Sequence, residues 1–454
     1  MFTPIRSEIN TPIDPVSIVP ITLCYHSPFG PTMKADLIVT NITQLLTCAS
    51  NGAPKHGHAM RDVGMIFEGA FAIADGKFIA VGTREEVEAQ YSSGETIDAV
   101  GKVVSPGFVD PHTHIVFAGD RLDEFELKIQ GADYLEILKH GGGIISTVRK
   151  TREAPLKELV EQARCRLNKM LGCGTTTAEI KTGYGLDLDT ELKMLRVIDE
   201  LNRTHPIEIV PTFLAAHAVP PEFKENAEGY IKLICEEMLP AAWSWYESSS
   251  FSEKGIPFFA DIFCERNTFD LNLTRQVLEA AAGLGFGLKA HVDQFTNLGG
   301  SEYSISANAT SIDHLDAISE DEIRLLAASN TIGVVIPTEG FNAGKTEFAP
   351  ARRMIDADCA VAVTTDYNPG SAPCPSQQMA MSIACRYQKL MPAEAFNAAT
   401  INAAFAVGLG RTHGSIEVGK AADFAIYDTN DYRMLVYEFG GPFAGSVWKQ
   451  GRLI

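Results

Sequence analysis

Apolar and polar positions change their spacing several times along this chain, and each change marks a different kind of structure. From Met33 the text alternates with a period of two, in MKADLIVTNITQLLTC and again in FAIADGKFIAVG, as strands punctuated by turn residues do. Residues 1–32 are rich in proline and show no period, so an irregular appendage is expected there, either a functional extension or a misassigned start. Over 106–407, short and nearly continuous apolar runs alternate with longer stretches of helical period such as 189–201 and 272–284. At the far end ADFAIYDTND and GSVWKQGRLI return to short strands with Asp- or Gly-bearing turns.

Eight apolar runs can be counted in the middle region, around FVDPHTH, TTTAEIKTG, IEIVPTFLAAH, FFADIFCE, LKAHVDQF, SIDHL, IGVVIP and VAVTTD. A strand apolar on both faces belongs in a parallel sheet covered by helices, and eight such units predict an α/β fold, a closed (β/α)8 TIM-like barrel over 106–407. An open doubly wound sheet would call for G-x-G-x-x-G after its first strand, which is absent. The flanking segments 33–105 and 408–454 are expected to fold together as one small composite β-sandwich domain.

Composition narrows the function classes. A net charge of -19 opposes binding to a polyanion, so no nucleic-acid partner is expected. No apolar run nears the roughly 18 residues that span a bilayer, so no membrane partner is expected either. Nine cysteines scattered singly, without a C-x-x-C pair, suit a reducing cytoplasm.

Six of the eight runs end in a His, Asp, Glu or Lys at their C-terminal side, the face where barrels place their chemistry. The first run ends in His112-Thr113-His114, whose period-two spacing turns both imidazoles to one side, where they can share a cation. Among eleven histidines an H-x-H alone is weak, but the fifth run ends in His291, the sixth in His314 and the eighth in Asp366. His112, His114, His291 and Asp366 offer three neutral nitrogens and one carboxylate, with an open position for a water whose pKa the metal would lower toward about 7. Asp366 could combine a metal contact with proton transfer. His314 would then hold the substrate carbonyl oxygen or help move protons, unless it is a core histidine satisfied by backbone. Three histidines and an aspartate accept zinc or ferrous iron alike.

The words themselves are familiar. PGFVDPHTH at 106–114, AATINAAFAVG and HGSIEVGKAADFAIYD resemble the amidohydrolase superfamily over nearly the whole chain from Met33. Within it, HTHIVFAGDRLDEFELKIQGADYLEILKHGGGIISTVRKTREA, TTTAEIKTGYGLDLDTELKMLRV, AAHAVPPEF and TTDYNPGS are similar to the imidazolonepropionase family. The resemblance implies hydrolytic opening of the small molecule 4-imidazolone-5-propanoate to N-formimidoyl-L-glutamate, a step of histidine degradation, with one divalent metal, Zn(2+) or Fe(2+), per chain. It places the metal on His112, His114, His291 and Asp366, and a catalytic role on His314 and Asp366. Substrate contacts carry over to Arg121, Tyr134, Tyr184, His217, Gln294, Asn368, Gly370 and Ser371.

Arg121 can grip a carboxylate with two N–H groups, beside a tyrosine hydroxyl, or pair at the surface with Asp123 or Glu124. Tyr184 sits between Gly183 and Gly185, as in a loop that approaches a ligand or in an ordinary turn, and His217 could donate to the ring carbonyl. Part of the family has a glutamate where Gln294 stands; glutamine can hydrogen-bond a ring nitrogen but not take its proton, so no general-base role falls to it. The fourth run ends in Cys264-Glu265 without the lysine that bridges two metals in some superfamily members, which favours one metal. Glu179 and Lys181 are expected as rim residues pairing with each other or with loops. A homodimer is the expectation from general frequency.

Overall fold

A computed structural model describes residues 32–131, 142–440 and 444–454. The first segment supplies β1 (Met33–Ala35), β2 (Leu37–Leu46), β3 (Met65–Ala74), β4 (Lys77–Thr83), β5 (Tyr91–Ser93), β6 (Thr96–Asp98) and β7 (Val103–Pro106). One glycine later the barrel begins, with β8 (Phe108–Asp110), β9 (Thr175–Lys181), β10 (Glu208–Ala216), β11 (Phe259–Cys264), β12 (Gly287–Val292), β13 (Ser311–His314), β14 (Ile332–Val335) and β15 (Val361–Val363). The chain then returns to the small sheet with β16 (Phe424–Tyr427), β17 (Ala444–Lys449) and β18 (Arg452–Leu453).

Each of the eight apolar runs forms one strand, and β8 to β15 lie side by side in chain order, all parallel. Every residue of β9 is buried, as a strand covered on both faces must be. The first and last strands are stitched by side chains: Gln377 Nε2 donates to Val109 O at 2.8 Å and Val363 O at 3.0 Å, and Asp110 accepts from Thr365 N at 3.1 Å and from both the Thr364 and Thr365 hydroxyls. The helix-period stretches become Leu188–Thr204 and Leu271–Leu284, each opened by an aspartate cap, Asp187 on Thr190 N and Asp270 on Leu273 N.

The smaller sheet runs β18-β17-β16-β7-β2-β3-β4, with β6 beside β2 and a separate two-stranded β1-β5 pair. Aromatic rings from both ends of the chain meet on one face: Phe71 of β3 packs edge-on against Phe424 of β16 at 5.0 Å, and Phe424 stacks on Trp448 of β17 at 5.4 Å. Gly107, between the two sheets, has to be a glycine, because a Cβ there would lie 2.3 Å from the Thr176 side chain. β7 therefore runs straight into β8 and anchors the small sheet on the first barrel strand.

Candidate active site

The side chains with chemistry sit where the strands end. His112 and His114 continue the line of β8, held in place by His114 N donating to Tyr367 O at 3.0 Å and by the Thr364 hydroxyl, whose one hydrogen is shared between Asp110 and His112 O, the latter at 2.8 Å. His291 lies in β12, His314 ends β13, and Asp366 follows β15. His314 and Asp366 both have left-handed backbone, φ 87° and 49°, a conformation that is strained for residues with a side chain and clusters at functional sites.

These groups converge. His112 Nε2 and His114 Nε2 are 3.1 Å apart, and Asp366 Oδ1 lies 3.6 and 3.5 Å from them. His291 Nε2 is buried without a partner among the described residues, and one ligand atom from each of the three histidines falls within 4.8 Å of the others. An ion with bonds of about 2.1 Å in tetrahedral geometry needs donors about 3.4 Å apart, so the set fits one divalent cation. The opposite ring nitrogens are pinned: His112 Nδ1 meets Asp313 Oδ2 at 2.6 Å, and His291 Nδ1 meets Asp261 Oδ2 at 3.0 Å. Each Nδ1 thus carries the proton, and each Nε2 presents its lone pair.

Burial holds the His112, His114 and His314 imidazoles well below their usual range, so all three are neutral. It also pushes the Asp366 carboxyl well above the carboxylate range and raises the Tyr184 hydroxyl. His217 is brought down to about 3, by burial first and by nearby His291 second. Its Nδ1 lies 3.1 Å from Gly183 O, which can only accept, so a neutral His217 keeps its proton there and offers Nε2 as an acceptor. The expected donation from this histidine to a ring carbonyl is therefore not available in this tautomer.

A cavity of about 180 Å³ opens over the cluster, lined by His114, His217, His291, His314 and Asp366 on its floor and by Arg121, Tyr184, Gln294, Asn368, Gly370 and Ser371 around it. Of the expected substrate contacts only Tyr134 is left over, because it lies outside the described residues. Arg121 serves as cavity wall and ion pair at once, gripping Glu124 through Nε at 2.7 Å and through Nη2. Asn368 is occupied by its own loop: Oδ1 accepts from Gly370 N and Ser371 N, both at 2.8 Å, while Nδ2 donates to Asp366 O and Ser371 Oγ. With its amide hydrogens used, it shapes the loop and has no donor left for a ligand.

Three wall residues had no signal in the sequence. Lys128 is one helical turn beyond Glu124 and pairs with it at 2.8 Å, while Ile144 and Phe263 supply apolar wall. The larger surprise lies beneath the floor. Glu179 and Lys181, expected at the rim, are fully buried inside the barrel with Lys289, Asp261 and Asp313. Alternation turns residues 179 and 181 of β9 to the same side, here the interior rather than the loops. Lys181 Nζ contacts Glu179 at 3.0 Å, Asp261 Oδ2 at 2.7 Å and Asp313 Oδ2 at 3.5 Å; Lys289 Nζ contacts Glu179 Oε2 at 3.1 Å.

Comparison with known proteins supplies a family for this geometry. The profile of the amidohydrolase family matches residues 103–453. The chain is 50% identical over 419 residues to the imidazolonepropionase of Chloroflexus aggregans, covering 92% of this chain and 98% of the relative. The chain belongs to the amidohydrolase family, among its imidazolonepropionases. Two further members of that group, from Herpetosiphon aurantiacus and Bacillus velezensis, are 46% identical over 420 residues and 42% over 421, with 97% of each relative covered. Solved structures share the fold at far lower identity. An adenosine deaminase from Xanthomonas campestris with bound zinc has a TM-score of 0.67 at 17% identity, over 93% of both chains. The guanine deaminase of E. coli has a TM-score of 0.67 at 16% identity, over 92% of this chain and 98% of that one. Amidohydrolases are metal-dependent hydrolases, and the three-histidine cluster lies within the matched residues.

Proposed function

We propose that this chain hydrolyses 4-imidazolone-5-propanoate to N-formimidoyl-L-glutamate, breaking the ring's amide C–N bond. The carrying observation is that one cavity joins the metal-competent floor of His114, His291 and Asp366 to a cationic wall of Arg121 and Lys128. A substrate with a cyclic amide at one end and a carboxylate at the other matches both, and the family relationship supports the same reaction.

His112, His114, His291 and Asp366 would hold a divalent ion, zinc or ferrous iron, which would supply Lewis acidity and lower the pKa of a water toward neutrality. The chain's own residues do the rest. Arg121 and Lys128 attract the propanoate, and the Tyr184 hydroxyl, which burial keeps protonated, donates to it. His314, whose Nδ1 is buried without a partner among the described residues, faces the carbonyl oxygen and donates to it as charge develops there. Asp366, which lies beside the His112 and His114 nitrogens, takes a proton from the attacking water and delivers it to the departing ring nitrogen. The water's hydroxyl ends on the carbonyl carbon and its proton on nitrogen, which balances the hydrolysis. His217 Nε2 accepts from a ring N–H, and Gln294 hydrogen-bonds a ring nitrogen without acting as a base. Gly370 and Ser371 complete the wall, and Tyr134 is kept as a further substrate contact.

No helix among the described residues is long and apolar enough to cross a membrane, and the eight cysteines described are all free, which supports a cytoplasmic enzyme.

The test mixes metal-loaded protein with freshly generated 4-imidazolone-5-propanoate, follows the loss of ultraviolet absorbance, and confirms the product by mass spectrometry. Metal-dependent acceleration is expected, and it should vanish in His291→Ala and Asp366→Ala while circular dichroism stays that of the parent. No acceleration over the spontaneous background, with metal bound, would send the search to other cyclic amides.

A further inference from the structure

The buried charges beneath the metal floor are connected in a way that the reaction does not explain. Lys181 Nζ sits between Asp261 Oδ2 at 2.7 Å and Asp313 Oδ2 at 3.5 Å. The same two carboxylates meet the two metal histidines, Asp313 at His112 Nδ1 and Asp261 at His291 Nδ1. All five side chains are at most 4% exposed. One ammonium therefore fixes two carboxylates, and each carboxylate fixes the tautomer and ring plane of one imidazole. Isolated buried charges are costly, so an arrangement of this kind persists only when every member is paired.

The charges also count out. Two ammoniums, Lys181 and Lys289, face three carboxylates, Glu179, Asp261 and Asp313. That leaves one net negative charge among these five side chains, on the side of the metal histidines. His112, Glu179 and Asp313 have donor atoms within 4.8 Å of one another and would look like a second metal site, yet the two ammoniums already occupy the carboxylates.

We propose that Lys181 is a positioning residue for the metal centre: through Asp261 and Asp313 it orients His112 and His291 together, and with Lys289 it takes the charge that a second ion would otherwise supply. This rests on the metal ligands assigned under the proposed function, but not on the identity of the substrate.

Cobalt(II) serves as the probe. Parent protein, Lys181→Met, Asp261→Asn and Asp313→Asn are stripped of metal, checked for folding by thermal melting, and titrated with cobalt while the visible absorption is recorded, with a chelator competing. The parent should take up one cobalt per chain. Folded variants should bind it about 10- to 100-fold more weakly with an altered visible spectrum, the size expected when the group orienting a metal histidine is lost. A purely structural role would lower the melting temperature and leave cobalt affinity and spectrum unchanged, which overturns the proposal. Should Lys181→Met fail to fold, the two asparagine variants decide: parental affinity and spectrum in both also overturn it. Two cobalt ions per parent chain, or none, would do the same. Parental cobalt binding without turnover of the imidazolone would sink the proposed reaction and leave this inference standing.

Discussion

Gly370 shows how little room the cavity leaves at the scale of one residue. A Cβ built there would lie 2.0 Å from Arg121 Nη1, so even alanine must push the guanidinium aside. Gly370→Ala is expected to raise KM for a carboxylate-bearing substrate by about 10-fold or more, the worth of a charged hydrogen bond, with kcat much less affected. Steady-state kinetics read the two apart. His205 lies away from the cavity and answers a different question. Its Nδ1 accepts from Ile207 N at 3.2 Å, its Nε2 meets Asn168 Oδ1 at 3.0 Å, and burial, with Arg164 second, lowers it from 6.5 to about 4. The unfolded chain therefore takes up this proton first. Its contribution is complete above pH 6.5 and lost as pH falls from there toward 4. Melting temperatures at pH 7 and 5 should differ less in His205→Gln than in the parent; an equal drop would mean that other groups govern the acid limb.

Among elements, what matters is how loops are tied to the helices and strands beside them. Glu191, buried in the helix Leu188–Thr204, accepts from Gly183 N at 3.0 Å, Gly185 N at 2.7 Å and Leu186 N at 2.9 Å. It thereby clamps the loop that carries Tyr184, and Gly183 O in turn holds His217. Glu191→Gln replaces one acceptor oxygen by an amide that repels the same N–H groups. KM should rise severalfold and the melting temperature fall modestly, the outcome to be checked by kinetics and melting together. Glu265 plays the same part for Gln294, accepting from Phe295 N at 2.9 Å and Thr296 N at 3.0 Å. The seam between β8 and β15 depends on Asp110 in the same way. Asp110→Ala leaves the Thr365 hydroxyl and the Thr365 N–H without their buried acceptor, while the Thr364 hydroxyl keeps His112 O, at a cost of about 3 kcal/mol, read by chemical denaturation. Neither Glu191 nor Glu265 was legible in advance, because an acid on a helix or at a strand end reads as a solvent-facing charge until its loop is seen folding back.

Over the whole molecule, the sequence was most informative where a period repeats. All eight barrel strands could be read from apolar runs, since parallel strands buried on both faces leave a mark that amphipathic elements do not. The polar residues that end those runs, His291, His314 and Asp366, could be read for the same reason. The interior charges were harder. The sequence marks Glu179 and Lys181 as polar but leaves rim and interior undecided for them, as for Asp261 and Asp313, because a strand's period tells which residues share a side but not which side is the barrel's inside. The proton placement on His217 was likewise beyond sequence, being set by the carbonyl of a loop residue 34 positions away.

β7 pairs with β2 on one edge and with β16 on the other, and Phe71 and Phe78 both pack against Phe424, which in turn stacks on Trp448. During synthesis the first strands leave the ribosome some three hundred residues before their last partner, with a strand edge and an aromatic face open to whatever else is nearby. In the barrel each strand can pair with the one before it as it emerges, and only the seam of β8 with β15 waits for the last unit. The small sheet has to wait, so a nascent chain stalled between the end of β15 and the start of β16 carries an unfinished, adhesive flank beside a complete set of barrel strands.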